Sequence, residues 1–333
     1  MPPLLSVRNL RTYFYRSDGV VKAVDGISFD VDRGETLGIV GESGSGKSVS
    51  VMSLLRLLRK NGRIEEGEAV FDGRDLLRLS REELRAIRGK EISVIFQDPM
   101  TSLNPTMRVG LQIMEPPLWH RIMGEPESRE RALSLFAKVG IPEPRSRFAD
   151  FPFQFSGGMR QRVMIAMALT CGPKLLIADE PTTALDVTVR AQILNLLQDM
   201  KDEYRMSVII ITHDFGLATN FCDKIIVMYA GKIVEAASTG EFVRNALHPY
   251  SRGLLQSTLD IGSPDTALHP IAGNPPNLID PPPGCRFHPR CQRRRAVCAR
   301  EEPPLIEVGP GHTAACHLVA EGDGPADSAK EAG

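Results

Sequence analysis

Gly41, Glu42, Ser43, Gly44, Ser45, Gly46, Lys47 and Ser48 read G-x-x-x-x-G-K-S. Glycines at this spacing let a backbone wrap closely round phosphate groups, with successive N–H groups pointing at them. In such a loop Lys47 reaches the β/γ-phosphates and the Ser48 hydroxyl ligates Mg2+. A second pair of candidates is Asp179 and Glu180, which end the apolar run Leu175–Ala178. Asp179 can hold Mg2+ through water, and Glu180 can polarise an attacking water. Strands often end in acidic residues, so this pair is weak alone. Combined with the glycine loop at this separation, it specifies nucleoside triphosphate hydrolysis.

Chemistry of this kind needs a strand before the loop and a helix after it. Thr36–Val40 is a compact apolar strand, and Lys47–Leu58 reads as a helix. The dipole of that helix adds positive potential where phosphate would sit. Residues from Leu4 to Phe71 read as short β segments around this one helix. Ser80 and Glu83 have the spacing of a capping box opening a short helix. Ile92–Phe96 is another buried strand, Val109–Gly140 is helical, and Gly157–Thr170 is a helix rich in Met, Ala and Ile. Beyond it strand and helix alternate: Lys174–Ala178, Val187–Tyr204, Ser207–Thr212, Phe215–Phe221, Lys224–Tyr229. Such alternation predicts an α/β fold with a mainly parallel sheet flanked by helices.

The chain has 333 residues, no internal repeat, and a net charge of −1. That charge offers no overall attraction to nucleic acid or anionic lipid, so nucleotide affinity must be local. No apolar run approaches the roughly 18 residues of a membrane helix. Charged residues follow Met1–Leu5 closely, and no secretory signal is expected. The expected location is the cytosol, unless a partner holds the chain at a membrane.

Further motifs carry a family resemblance. Ser156, Gly157, Gly158, Met159, Arg160 and Gln161 resemble the signature motif of ATP-binding-cassette proteins, although Phe155 stands where that family usually has Leu. A serine and two glycines at a helix start make a second anion site. The resemblance implies a mixed-sheet cassette with a helical signature subdomain at about residues 100–170. It also implies that ATP is sandwiched between the glycine loop of one cassette and Ser156, Gly157 and Gly158 of its partner. Gln97 resembles the glutamine that contacts Mg2+ and senses the transmembrane partner. Asp186, in Ala184-Leu185-Asp186, resembles the family's D-loop, and His213 the switch histidine that meets the γ-phosphate. Phe14 stands where the family stacks an aromatic ring on adenine, with Tyr13 and Tyr15 as alternatives.

Three stretches narrow the resemblance to importers of dipeptides, oligopeptides and nickel. They are Gln97–Pro105, the sequence His248-Pro249-Tyr250, and the Pro/Cys-rich stretch from Gly273 to Cys291. The resemblance implies an ATPase subunit at the cytoplasmic face of the inner membrane. Its implied partners are a second, different cassette, two transmembrane permeases and an external substrate-binding protein, with no nucleic acid. A soluble cassette ATPase acting on nucleic acid or ribosomes is the alternative. The expected organisation is a cassette at residues 1–258, an extension at 259–320 and a disordered tail at 321–333.

Cys285, Cys291, Cys298 and Cys316 follow C-x5-C-x6-C-x17-C. Four thiolates suit a [4Fe–4S] cluster or zinc, and the wide gaps favour the larger cluster. Free or disulfide-bonded thiols are the remaining reading. The resemblance points to iron–sulfur as well. Arg286, Arg290, Arg293, Arg294, Arg295 and Arg300 would lower the thiol pKa values or form a solvated basic patch. His288, His312 and His317 could replace a thiolate. Cys171 and Cys222 are read as plain buried thiols.

Overall fold

The computed structural model describes residues 2–183, 186–259 and 271–322. The chain forms two compact units. One holds the N-terminal residues to Leu4, Val31–Thr36 and Phe71–Ile211. The other holds Leu5–Asp30, Leu37–Val70 and the residues from Thr212 onward.

The first unit is built on parallel strands. Ile92–Ile95 pairs with Leu175–Asp179, which pairs with Ser207–Thr212. Every residue of the latter two strands is buried, as expected for strands covered on both faces. Three helices, Val109–Trp119, Glu125–Lys138 and Gly157–Leu169, pack together in this unit. Ile113, Leu135, Phe136, Val163 and Ile165 are almost fully buried. The continuous helix expected at Val109–Gly140 is broken after Trp119, where Arg121 adopts a φ of 54°. The strand expected to reach Phe96 stops at Ile95, and Phe96 is exposed. The capping box is formed: Ser80 Oγ accepts from the Glu83 amide, and Glu83 Oε2 accepts from the Ser80 amide.

A charge cluster ties loops of this unit together. Asp72 accepts from Arg33 and Lys174, and Lys174 also reaches Glu91, which pairs with Arg74. Hydrogen bonds from Lys174 and Arg33 hold the Asp72 carboxyl down to about 2.

The second unit contains long strands where short ones were expected. Gly19–Val31, Leu5–Arg16 and Gly62–Phe71 lie side by side in that order. A further sheet runs Ile306–Gly309, His312–Ala314, Lys232–Ser238, Lys224–Tyr229, Thr36–Val40. Thr36–Val40 and Lys224–Tyr229 are parallel. Lys232–Ser238 returns antiparallel with an irregularity between Ile233 and Glu235. The Cys/Arg-rich stretch therefore contributes more than loops: its last two strands extend this sheet, with Glu235 opposite Ala314.

The helix after the glycine loop is shorter than expected, Lys47–Leu54. Arg56, at φ 51°, ends its extension. No described helix is long and apolar enough to cross a membrane.

Candidate functional site

In the second unit, strand Thr36–Val40 delivers the chain into the glycine loop. Gly41, Gly44 and Gly46 have φ of 151°, 78° and 103°, which side chains resist. A Cβ on Gly41 would lie 2.2 Å from the Met228 carbonyl oxygen, and one on Gly46 would lie 2.3 Å from that of Ala23. These two glycines are thus required by backbone crowding as well as by φ. Gly46 caps the helix that carries Lys47 and Ser48. Lys47 is buried, and its Nζ donates to the carbonyls of Gly41 at 2.7 Å and Glu42 at 2.9 Å. The ammonium is therefore held inside the curve of the loop. Among the described residues, Ser45 Oγ is buried with no hydrogen-bond partner. The bent loop, the turned-in lysine and this orphan hydroxyl fit an oxygen-rich anion. Ser43 completes the loop on its exposed side.

Beside the loop lies a cavity of about 490 Å3 lined by Phe14, Val21, Ser48, Val49, Met52 and Leu57, among others. Phe14 and Ser48 thus share one recess. The alternatives to Phe14 are engaged elsewhere. Tyr13 Oη donates to Asp25 at 2.8 Å, and Tyr15 Oη donates to Glu65 at 3.0 Å. His213 follows strand Ser207–Thr212 and is exposed. Asp214 behind it caps the helix Phe215–Phe221.

In the first unit, Asp179 ends the central strand and is buried. Glu180 follows at φ 48°, a costly conformation for a glutamate. Its amide donates to Ile211 at 2.9 Å. Its Oε2 accepts from Gln97 Nε2 at 2.9 Å and from Thr183 Oγ1 at 2.9 Å. The structure therefore joins Gln97 to Glu180 directly, and adds Thr183, which the sequence reading missed. Only its position three residues after Glu180 could have suggested it.

Ser156 caps the helix Gly157–Leu169, its side chain accepting from the Met159 amide at 3.3 Å. Ser156 and Gly157 are exposed, so the free end of this helix is open to solvent. A Cβ on Gly158 would stand 3.0 Å from Val189 Cγ1. Phe155 is buried, filling the position where Leu was expected. Asp186 caps the helix Val187–Tyr204, accepting from Val189 at 2.9 Å. Ala184 and Leu185 lie outside the described residues.

The C-terminal cysteines require a correction. Among the described residues, no group of three or more His, Cys, Asp or Glu is placed to hold a metal ion, which overturns the iron–sulfur, zinc and metal-binding expectation. Burial pushes the Cys285 thiol up to about 12 and raises Cys291 and Cys316. Arginines expected to favour thiolates are committed elsewhere: Arg286 to Asp25, Arg290 to Glu42, Arg295 to Glu321. Arg286 and Arg290 are largely covered and ion-paired, and do not form a solvated patch. The nearby histidines have other partners too. His312 meets Glu235 at 2.8 Å, and the rings of His288 and His317 meet the carbonyls of Cys285 and Glu301. Cys222 is buried, but Cys171 is only half-buried, its thiol raised to about 11 by desolvation.

Comparison with known proteins agrees with this geometry. Residues 24–183 match the family described as ABC transporter, and residues 234–298 match the oligopeptide/dipeptide transporter C-terminal region. The chain is 51% identical to the oligopeptide transport ATP-binding protein OppD of Salmonella typhimurium, over 96% of this chain and 94% of that one. It is 49% identical to the dipeptide transport ATP-binding protein DppD of Lactococcus lactis, over 95% and 91%. Among solved structures, the dimeric ATP-binding cassette MJ0796 bound to ADP and Pi matches with a TM-score of 0.63 at 30% identity. That match covers 71% of this chain and 98% of the cassette. The fold and loops define an ATP-binding cassette. More narrowly, the chain belongs to the family of oligopeptide and dipeptide transport ATP-binding proteins.

Proposed function

We propose that this chain is the ATP-hydrolysing subunit of a membrane importer of oligopeptides or dipeptides. The relatives named for that transport match it over nearly its whole length, and the C-terminal match lies in the stretch that most cassettes lack. The alternative of a soluble ATPase acting on nucleic acid or ribosomes has no comparable support.

The observation that carries the hydrolytic part of the reading is the setting of Glu180. A carboxylate fixed in a left-handed turn at the end of a buried strand, and steered by Gln97 and Thr183, is preorganised to take a proton from water. Lys47 is assigned to the β/γ-phosphates, with the amides of residues 41–48 as the cradle. Phe14 is assigned to the adenine face, because it shares a recess with Ser48. For Mg2+, which prefers hard oxygen donors, the assigned residues are Ser48, Asp179 and Gln97. The ion would neutralise charge on the phosphates as the bond breaks. His213 is assigned to the γ-phosphate. Ser156, Gly157 and Gly158 are assigned to the ATP held by a partner cassette, with Asp186 facing across the same junction. An exposed helix start is the form such a donor turn requires.

Transmembrane permeases would supply the membrane path, and this chain would lie against them at the inner face. The exposed apolar side chains Phe96, Met100 and Phe153 in the first unit suit docking of this kind.

Glu180→Gln tests the assignment. ATP binding should persist while turnover falls by about a hundredfold or more, and the ATP-bound form should accumulate as a dimer. Unchanged turnover would remove Glu180 from this role.

A further inference from the structure

Glu42 is the only acidic residue between Gly41 and Ser48. A carboxylate inside a phosphate-binding loop opposes the loop's purpose, since like charges at short range in a partly buried site repel strongly. The structure shows how it is managed. Arg290 Nη1 donates to Glu42 Oε2 at 2.6 Å, and Nη2 donates to Oε1 at 2.9 Å. The Arg290 side chain is 5% exposed. It also donates to the carbonyls of Ala272 and Ile271 and to Tyr229 Oη. Its guanidinium lies over the rings of Tyr229 and Phe287. The amide of Glu42 donates to Tyr250 Oη at 2.9 Å, and its carbonyl accepts from Lys47. Each polar handle of Glu42 is therefore occupied, two of them by residues 208 and 248 positions downstream.

We infer that Arg290 is a positioning residue for ATP binding: it neutralises Glu42 and fixes the glycine loop from the C-terminal stretch. The inference rests on the reading of residues 41–48 as the triphosphate site. A bidentate guanidinium suits the task because it holds both carboxylate oxygens while its planar face packs on aromatic rings. It turns the loop's one anion into a neutral pair. It also makes the loop's electrostatics depend on residues about 250 positions downstream.

The test is equilibrium binding of ATP to the full chain, in wild type, Arg290→Met, Glu42→Gln and the double variant. Arg290→Met should weaken ATP binding by about tenfold, because an unneutralised carboxylate now faces the triphosphate. Adding Glu42→Gln to that variant should restore affinity to within about threefold of wild type, because the repulsion is gone. A purely structural arginine would show no such rescue. Equal affinity in Arg290→Met, or additive losses in the double variant, would overturn the inference. Should Arg290→Met fail to fold, Glu42→Gln alone carries the test. It leaves Arg290 with its carbonyl and aromatic contacts and should bind ATP at least as tightly as wild type. Weakening by about threefold or more would refute the neutralising role. If wild type itself binds no ATP, the reading of the loop fails instead, a distinct outcome.

Discussion

The carboxamide of Gln97 donates to the carboxylate of Glu180 at 2.9 Å, across 83 positions of sequence. The two groups form one device. The hydrogen bond fixes the carboxylate's orientation, and Glu180 itself sits in a left-handed turn at φ 48°.

Gln97→Ala should therefore lower kcat by about tenfold or more while leaving the KM for ATP within a few-fold. Steady-state ATPase kinetics of the assembled transporter would show the split. A rise in KM alone would mean that Gln97 serves binding and not the orientation of Glu180.

Phe14→Ala should raise the Kd for ATP by about tenfold, since stacking of an aromatic ring on a base contributes about 1–3 kcal/mol. Tyr15→Ala should change it little, because Tyr15 Oη is turned to Glu65. Parallel titrations with a fluorescent adenine nucleotide would decide. Equal losses in the two variants would remove Phe14 from its special place.

Gly46→Ala should abolish ATP binding and destabilise the protein by about 2–4 kcal/mol. Its φ is 103°, and the new methyl would meet the Ala23 carbonyl at 2.3 Å. Gly44→Ala is the control. It is strained by φ alone, with no atom within 4 Å of the added carbon, so its cost should be smaller. Thermal unfolding of the two variants measures the difference.

His248 sets a pH dependence. Complete burial pushes its ring from 6.5 down to about 4, and its Nδ1 accepts from the Tyr250 amide at 3.1 Å, so the ring is neutral in the fold. The unfolded chain binds a proton on this residue below about pH 6.5, where the folded chain does not. The stability tied to the neutral ring is thus complete above about pH 6.5 and drains away as pH falls toward 4, by up to about 3 kcal/mol. Asn at this position can offer the same amide an oxygen two residues back. His248→Asn should flatten the stability profile between pH 6.5 and 4. Urea unfolding across that window measures it, and an unchanged slope would assign the acid sensitivity to other groups.

Much of the first unit could be read from the sequence because its signals are local. Ser80 and Glu83 announce their own cap, and the buried strands are short runs of Leu, Ile and Val bounded by charged or small residues. The glycine loop was legible from its G-x-x-x-x-G-K-S spacing, and at Gly41 and Gly46 backbone crowding excludes a side chain. What escaped was non-local. Ile306–Gly309 and His312–Ala314 are only 4 and 3 residues long, and they become strands because the edge of Lys232–Ser238 receives His312–Ala314, which in turn pairs with Ile306–Gly309. The arginines looked like one basic cluster because sequence shows charge but not its counter-ion. Arg290 and Arg286 find theirs 248 and 261 positions away. Cysteine spacing likewise led to the metal expectation, because spacing does not say which side chains the fold brings together; among the described residues no three His, Cys, Asp or Glu are placed to hold a metal ion.

The seating of His312–Ala314 on the strand Lys232–Ser238 has a consequence for how the protein is made. The unit that holds residues 41–48 draws its last strands from chain that leaves the ribosome about 270 residues later. Thr36–Val40 waits for Lys224–Tyr229, whose other partner, Lys232–Ser238, keeps an open edge until residue 314 has been made. Nascent chains stalled before residue 312 leave that edge unpaired and should draw heavily on chaperones.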